Sequence, residues 1–279
     1  MKPLIVANWK MNPSSERVAK AMFRRLRRKL TGVSGVEIAV APPFPYLTIG
    51  RGGRPFRLAA QDVFWENAGA YTGEVSPAIL ADLGVSYVIV GHSERRRILG
   101  EDDGMVNRKV RAVLAADMAP IVAVGEERSE AEEVVPNSLS LELAAALHGV
   151  PRRLLRRVIV MYEPVWAISG TPGSKPASPD HATRRAIYLR KLLTKLAGRR
   201  IADAVRIMYG GSVSAANAAN FISRDVRGMD GLVVGVASLD ADEFAAIARS
   251  VGMRGRASRS KGNSGSSAPT WGRLSARAE

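Results

Sequence analysis

Cysteine is absent from the 279 residues, and aromatic residues make up only 6% of them. Without cysteine the chain can form neither disulfides nor catalytic thiolates, a composition that fits a cytoplasmic protein. Long apolar runs are missing too, since no stretch reaches the roughly 18 residues that a membrane-spanning helix needs. The apolar segment from Leu4 to Ala7 is too short for a secretory signal and favours a first strand. We therefore predict a cytoplasmic protein with no membrane partner.

Basic residues outnumber acidic ones by 41 to 26, which gives a net charge of +15. Residues 252–279 hold six of the basic residues and one acid, so they contribute +5 and the rest of the chain +10. We interpret the basic runs at 24–29 and 152–157 as solvated helix faces. Such a surface raises the encounter rate with anionic metabolites, and we expect nucleic acid to bind it only non-specifically, if at all.

Eight short apolar runs alternate along the chain with longer amphipathic segments. Parallel strands that are covered on both faces are nearly continuous apolar runs, so we assign these runs as strands. The predicted strands are 4–8, 36–41, 56–61, 87–91, 120–125, 158–162, 205–209 and 232–235. Eight strands close a parallel barrel. The pattern predicts an α/β fold, a single (β/α)₈ barrel, with a doubly wound open sheet as the alternative.

Two further patterns concern the first helix of the predicted barrel domain and the limit of that domain in the sequence. In the first amphipathic segment apolar residues recur at every fourth position, which predicts a buried helix face of Val18, Met22, Leu26 and Leu30. After Val251 the composition changes to Gly, Ser and Arg, with too few large apolar residues to offset the cost of ordering. We therefore predict a barrel domain at 1–251 and a disordered basic tail at 252–279.

Polar side chains follow several predicted strands at their carboxyl ends, which is where barrels carry their active sites. Asn8 and Lys10 follow the first strand, His92 the fourth and Glu163 the sixth. A carboxylate, an imidazole and an amine at one face indicate proton abstraction next to a carbonyl. Without a metal-ligand cluster, hydrogen bonds must stabilise the developing charge. A helix starting near Ser93 should keep the ring of His92 neutral through its positive end.

Glycine-containing turns follow the last two predicted strands, at 210–212 and 235–238. Glycine lets the backbone approach a ligand closely, and helix N-terminal N–H groups point at an anion above them. Barrels commonly bind phosphate at these two loops. The glycine motifs of nucleoside triphosphate and dinucleotide sites do not occur. We therefore expect a phosphorylated small molecule as the substrate.

Four segments resemble motifs of the triosephosphate isomerase family, in its order and at close to its spacing. They are NWKMN (8–12), GHSERR (91–96), YEPVWAI (162–168) and YGGSV (209–213), and residues 70–76 resemble the family's third loop. The resemblance covers 3–251. It implies an aldose–ketose isomerase of glycolysis and gluconeogenesis that interconverts dihydroxyacetone phosphate and D-glyceraldehyde 3-phosphate, as a homodimer without a cofactor.

The resemblance also implies a role for each matching residue. Glu163 would be the general base, His92 the electrophile at the substrate oxygens and Lys10 the cation that favours an anionic transition state. Asn8 would hydrogen-bond the reacting oxygens, and Glu94 would pair with Lys10. The other implied residues are the phosphate-binding groups at Ser212, Gly235 and Val236, the lid N–H of either Ser169 or Gly170, and Thr72, whose loop would reach the partner's site.

Three positions depart from the family's pattern. The lid at 169–176 is longer than usual, Val236 stands where a second glycine is common, and Ala123 stands where cysteine is common. A side chain at Val236 resists a positive φ, so the phosphate contact depends on the local backbone. The altered lid keeps open the alternative of an isomerase of a four-carbon ketose phosphate, and the basic body that of a barrel with a nucleic-acid-binding role.

Overall fold

The computed structural model describes residues 1–128, 136–168, 176–222 and 228–261, and for 254–261 the backbone alone. Eight parallel strands pair in sequence order, and the eighth closes on the first. They are β1 (Leu4–Asn8), β2 (Glu37–Ala41), β3 (Arg57–Ala60), β4 (Val85–Val90), β5 (Ala119–Val124), β6 (Ile159–Tyr162), β7 (Arg206–Tyr209) and β8 (Gly231–Val234). Each strand lies within two residues of its predicted limits. The predicted barrel is confirmed, and the open sheet is excluded.

Helices cover the outside of the barrel and connect its strands. They are α1 (Glu16–Leu30), α2 (Leu47–Gly50), α3 (Pro77–Asp82), α4 (Ser93–Leu99), α5 (Asp103–Ala115), α6 (Asn137–Leu147), α7 (Pro179–Ala197), α8 (Arg199–Ala202), α9 (Ala218–Phe221) and α10 (Ala241–Lys261). Short 3₁₀ turns occupy Phe44–Tyr46, Leu155–Arg157, Val165–Ala167 and Val236–Leu239. None of the described helices combines the length and the apolar character needed to cross a membrane.

The strands separate two buried layers because successive side chains point to opposite faces. In β1, Leu4 and Val6 belong to the cluster inside the barrel, whereas Ile5 and Ala7 belong to the larger cluster between barrel and helices. Both layers exclude water, which explains why the strands are continuous apolar runs in the sequence.

Helix α1 buries a face that overlaps the predicted one at Met22, Leu26 and Leu30 and departs from it at Val18. The side chains that face the barrel are Ala19, Phe23, Leu26 and Leu30, whereas Val18 is 39% exposed. A strict four-residue spacing drifts by about 40° per step around a helix of 3.6 residues per turn, so a straight buried stripe mixes steps of three and four. The predicted face is therefore correct at its C-terminal end and wrong at its start.

Helix α10 extends to Lys261, beyond the predicted domain limit at 251. Adding residues to a formed helix requires no new nucleation, and residues 253–261 contain no proline and several good helix formers. The helix passes close to the loop before β2, since a Cβ at Gly252 would lie 2.3 Å from the carbonyl oxygen of Ser34. The prediction of disorder for 262–279 concerns residues outside those described.

A buried ionic cluster joins the loops that follow β3 and β4. The Nζ atom of Lys109 lies 2.7 Å from Oδ1 of Asp62 and also contacts Glu101. Arg95 reaches the same carboxylates, at 2.9 Å from Asp62 and 2.5 Å from Glu101. Burial raises the pKa of Asp62 against the opposing charge of Lys109. Because Arg95 lies in the first turn of α4, the cluster fixes the segment that carries His92.

Replacing Lys109 with methionine should destabilise the protein by about 3–5 kcal/mol, because two buried carboxylates would lose their buried cation and keep only the partly exposed Arg95. Urea unfolding at a fixed protein concentration measures the change. The matched control is Lys20→Met, which removes an exposed ion pair with Glu16 and should leave the free energy of unfolding nearly unchanged. Similar unfolding midpoints for the two variants would contradict a stabilising role for the cluster.

Candidate active site

The alternation inside the barrel aims two polar side chains at its open end. Leu4 and Val6 point inward from β1, so the same period of two brings Asn8 inward. In β6, Met161 points inward, and Glu163 follows it two residues later. Asn8 is 5% exposed and Glu163 2% exposed. The strand ends predicted to carry the chemistry therefore face a common interior.

The loop after β1 holds Lys10 in a left-handed conformation, with φ of 51°. Such a conformation costs a non-glycine residue about 1–3 kcal/mol unless its surroundings fix it. Here Oδ1 of Asn8 accepts from Lys10 N at 3.0 Å, and Gln61 Nε2 donates to the carbonyl oxygens of Lys10 and Ala41, both at 2.8 Å. The Nζ atom of Lys10 lies 2.5 Å from Oε1 of Glu94, the partner expected from the resemblance.

The carboxylate of Glu163 contacts the N-terminal end of α4, at His92 and Ser93. Its Oε1 is 3.0 Å from Nε2 of His92, and its Oε2 accepts from Ser93 N at 2.9 Å. Burial alone would raise the pKa of Glu163. His92, the Ser93 N–H and the charge of Lys10 outweigh burial, so the pKa of Glu163 lies below its ordinary value. The carboxylate is thus ionised at neutral pH.

Opposing influences act on the protonation of His92. Burial lowers the pKa of its ring, and the charge of Glu163 together with the contact to it raises the pKa above its ordinary value. Yet Nδ1 accepts a hydrogen bond from Glu94 N at 3.2 Å, so a proton on Nδ1 would face another N–H hydrogen. A single proton on the ring therefore lies on Nε2, the atom that faces Glu163. The neutral ring expected from its place before α4 stays a prediction.

A narrow cavity at this end of the barrel brings most of the predicted residues together. The predicted residues among its lining are Asn8, Lys10, His92, Glu163, Gly235 and Val236. Gly210 and Gly211 of the turn after β7 line it as well. Both glycine-containing turns therefore meet the polar side chains, which is the arrangement expected of a phosphorylated substrate's site.

Two of the predicted phosphate-binding residues differ in their hydrogen bonds within the protein. The N–H and the hydroxyl of Ser212 both donate to the carbonyl oxygen of Ala167, at 3.1 and 2.8 Å. Val236 begins a 3₁₀ turn and is 59% exposed. In the described parts of the chain, the non-glycine residues with positive φ are Lys10 and Asp117. The backbone at Val236 therefore does not require glycine.

A buried carboxylate, Glu126, supports the stem of the lid, although it was not among the predicted site residues. Its Oε1 accepts from Tyr162 Oη at 2.5 Å and from Trp166 Nε1 at 3.3 Å, and it lies 3.9 Å from Nε of Arg185. Tyr162 also contacts Nε2 of His181 at 2.9 Å. The sequence did contain a signal, since Glu126 follows the end of β5 much as Glu163 follows β6.

Other predicted positions do not join the cavity. Thr72 is exposed in the loop between β3 and α3 and is absent from the lining residues. The two lid candidates, Ser169 and Gly170, lie outside the described residues. Within the described segments, no group of three His, Asp or Glu side chains is placed to hold a metal ion.

The family model that matches this chain and three similar curated relatives carry the same description. The family model described as triosephosphate isomerase matches residues 3–251. The triosephosphate isomerase of Carboxydothermus hydrogenoformans is 43% identical over 252 residues, which cover 89% of this chain and 98% of that protein. That of Citrifermentans bemidjiense is 45% identical over 253 residues, with the same coverage. That of Roseiflexus sp. is 42% identical over 261 residues, covering 91% and 99%.

Replacing His92 with leucine should raise the pKa of Glu163, because the largest influence that opposes burial is removed. In the wild type, the stability gained from ionised Glu163 is present above its unfolded pKa and is lost as pH falls through its lowered folded pKa. In the variant this loss should begin at higher pH. Carboxyl NMR titration and urea unfolding across pH measure both effects.

The matched control for this experiment is His148→Leu, at the exposed C-terminal cap of α6. It should leave the titration of Glu163 unchanged. The same pKa for Glu163 in the wild type and in His92→Leu would contradict the coupling between the two side chains.

Proposed function

Because this chain belongs to the triosephosphate isomerase family, we propose that Glu163 is the general base of its isomerisation. The enzyme interconverts dihydroxyacetone phosphate and D-glyceraldehyde 3-phosphate. In our proposal the Glu163 carboxylate removes a proton from C1 of the ketose and returns it to C2, while the ring of His92 gives its Nε2 proton to O2 and takes the proton of O1 in return. The substrate phosphate lies at the turns after β7 and β8, with Gly235 and the Val236 N–H supporting it.

The observation that carries this proposal is the contact between Oε1 of Glu163 and Nε2 of His92, at 3.0 Å. The Nε2–H of His92 is a donor that a substrate carbonyl oxygen can take over, with Lys10 and Asn8 lining the same cavity. A donor that moves to the substrate stabilises the oxygen where negative charge develops. The same exchange leaves the buried Glu163 with fewer donors, which makes it a stronger base when the substrate is bound.

Glu94 has a supporting role in the proposed mechanism. Its carboxylate holds Nζ of Lys10 at the edge of the cavity, and its N–H fixes the tautomer of His92. Both contacts orient groups that face the substrate oxygens. Two phosphate contacts stay predictions: one from the lid, at Ser169 or Gly170, and one from Ser212. The Ser212 N–H can bind the phosphate only if it breaks its hydrogen bond to Ala167 O.

Replacing Glu163 with glutamine should lower kcat for glyceraldehyde 3-phosphate by about 10²–10⁴-fold, because the variant retains the shape of the side chain without a base. A coupled steady-state assay measures the loss, and four-carbon ketose phosphates assayed in parallel test the wider substrate range. Glu16→Gln, on the exposed face of α1, is the control and should be fully active. Wild-type turnover in Glu163→Gln would overturn the assignment of the base.

We also propose that the enzyme is cytoplasmic and acts as a homodimer through the loops after β1, β3 and β4. Large apolar side chains are exposed on the segments that follow these strands: Met11 at 92%, Tyr71 at 45% and, at the end of α4, Leu99 at 59%. Exposed apolar side chains at the same end of the barrel favour an interface there. Thr72, beside Tyr71, would then reach into the partner's site.

Replacing Thr72 with arginine should weaken the proposed dimer by at least about tenfold in Kd, equivalent to about 1.4 kcal/mol, because the interface would bury an unpaired charge. Sedimentation velocity over a dilution series measures the equilibrium. The control is Thr48→Arg, at an exposed position of α2. An unchanged dimer in Thr72→Arg, or a monomeric wild type, would rule out this interface.

A further inference from the structure

The main chain of Glu163 packs against the end of β5 and the backbone of the loop that follows it. Glu163 N donates to the carbonyl oxygen of Val124 at 2.9 Å. A Cβ built on Gly125 would lie 1.8 Å from the carbonyl oxygen of Glu163, so the two backbones approach more closely than any side chain would permit. The position of Gly125 therefore limits where the backbone of Glu163 can lie.

Helix α6 holds Gly125 through both of its polar backbone groups. Gly125 N donates to Oε2 of Glu142 at 3.0 Å, and Ser138 Oγ donates to the carbonyl oxygen of Gly125 at 3.2 Å. Side chains four residues apart share one face of a helix, so Ser138 and Glu142 act on the same loop. The neighbouring residues Leu139 and Leu143 are fully buried and anchor that helix against the barrel.

We propose that Glu142 is a positioning residue for Glu163: it fixes Gly125 and thereby the backbone from which the carboxylate of Glu163 projects. This inference rests on the proposed role of Glu163 as the base. Glu142 does not line the substrate cavity, and its effect passes through the contact between the two backbones. A small displacement of a catalytic group costs rate because the reacting atoms lose alignment, while binding of the substrate phosphate is unaffected.

The surroundings of Glu142 make its hold on Gly125 dependent on pH. Burial raises the pKa of Glu142 to about 7, and the Gly125 N–H and the charge of Arg96 oppose that shift, whereas Asp103 and Glu163 add to it. The remaining charged side chains that line the cavity of about 350 Å³ beside Glu142 are Arg97 and Glu127. A carboxylate accepts a hydrogen bond from an N–H more strongly than a carboxylic acid does. Gly125 is therefore held most firmly above pH 7.

The test uses the full-length enzyme and two substitutions of Glu142. In Glu142→Leu the acceptor is lost, and kcat should fall about tenfold, the cost of one hydrogen bond to a positioned group, while KM stays within about twofold. In Glu142→Gln the amide oxygen still accepts from Gly125, so kcat at pH 8 should stay within about twofold of the wild type. The kcat–pH profile of Glu142→Gln should lack the wild-type inflection near pH 7. Ser138→Ala should cause a smaller loss of kcat.

The control is Ser140→Ala, whose hydroxyl lies on the exposed side of α6 and donates to Asn137 O. Unchanged kcat in Glu142→Leu overturns the proposal, as does a wild-type pH profile in Glu142→Gln. Urea unfolding identifies a variant that fails to fold, and in that case the pH profile of Glu142→Gln decides. If Glu163→Gln retained turnover, the assigned base would be wrong instead, so the two failures are distinguishable.

Discussion

The site depends on backbone hydrogen bonds between neighbouring strands that continue past the ends of the strands, into the segments that carry the polar side chains. Trp9 N still donates to Ala41 O after β1 has ended, and Glu163 N donates to Val124 O after β6. Because the barrel closes, no strand is free to slide past its neighbours without breaking both ladders. The groups that face the substrate therefore leave a backbone whose register is already fixed.

Buried carboxylates around this end of the barrel differ in the donors that surround them, and that difference decides the direction of each pKa shift. Glu163 meets an imidazole N–H, a backbone N–H and a nearby ammonium, which outweigh burial and lower its pKa. Glu142 has one backbone N–H and the charge of Arg96, which do not outweigh burial, and its pKa rises to about 7. Two carboxylates in one region can thus be kept in different protonation states by local contacts alone.

Short-range patterns predicted the barrel and much of the site. Apolar runs gave the strands to within two residues, and the period of two explains why Asn8 and Glu163 point inward. Long-range contacts lay beyond such patterns. No local feature shows that the Ser212 N–H binds Ala167 O or that Glu126 supports the lid stem. The start of the buried face of α1 was misplaced, at Val18, because the buried face follows the surface of the barrel and not a fixed four-residue spacing.

Gly125 shows why a glycine at a strand end is ambiguous in a sequence. Glycines at the ends of β7 and β8 line the substrate cavity, and by that pattern Gly125 would be a further candidate for a phosphate contact. In the structure it instead gives room for another stretch of backbone, that of Glu163. A Cβ at Gly235 would meet only Cε of Lys10, at an ordinary 3.7 Å, whereas a Cβ at Gly125 is excluded by the backbone of Glu163. The distinction appears only once α6 places Glu142 and Ser138 on Gly125, because a loop fixed at both its N–H and its carbonyl serves as a support and is not available to an anion.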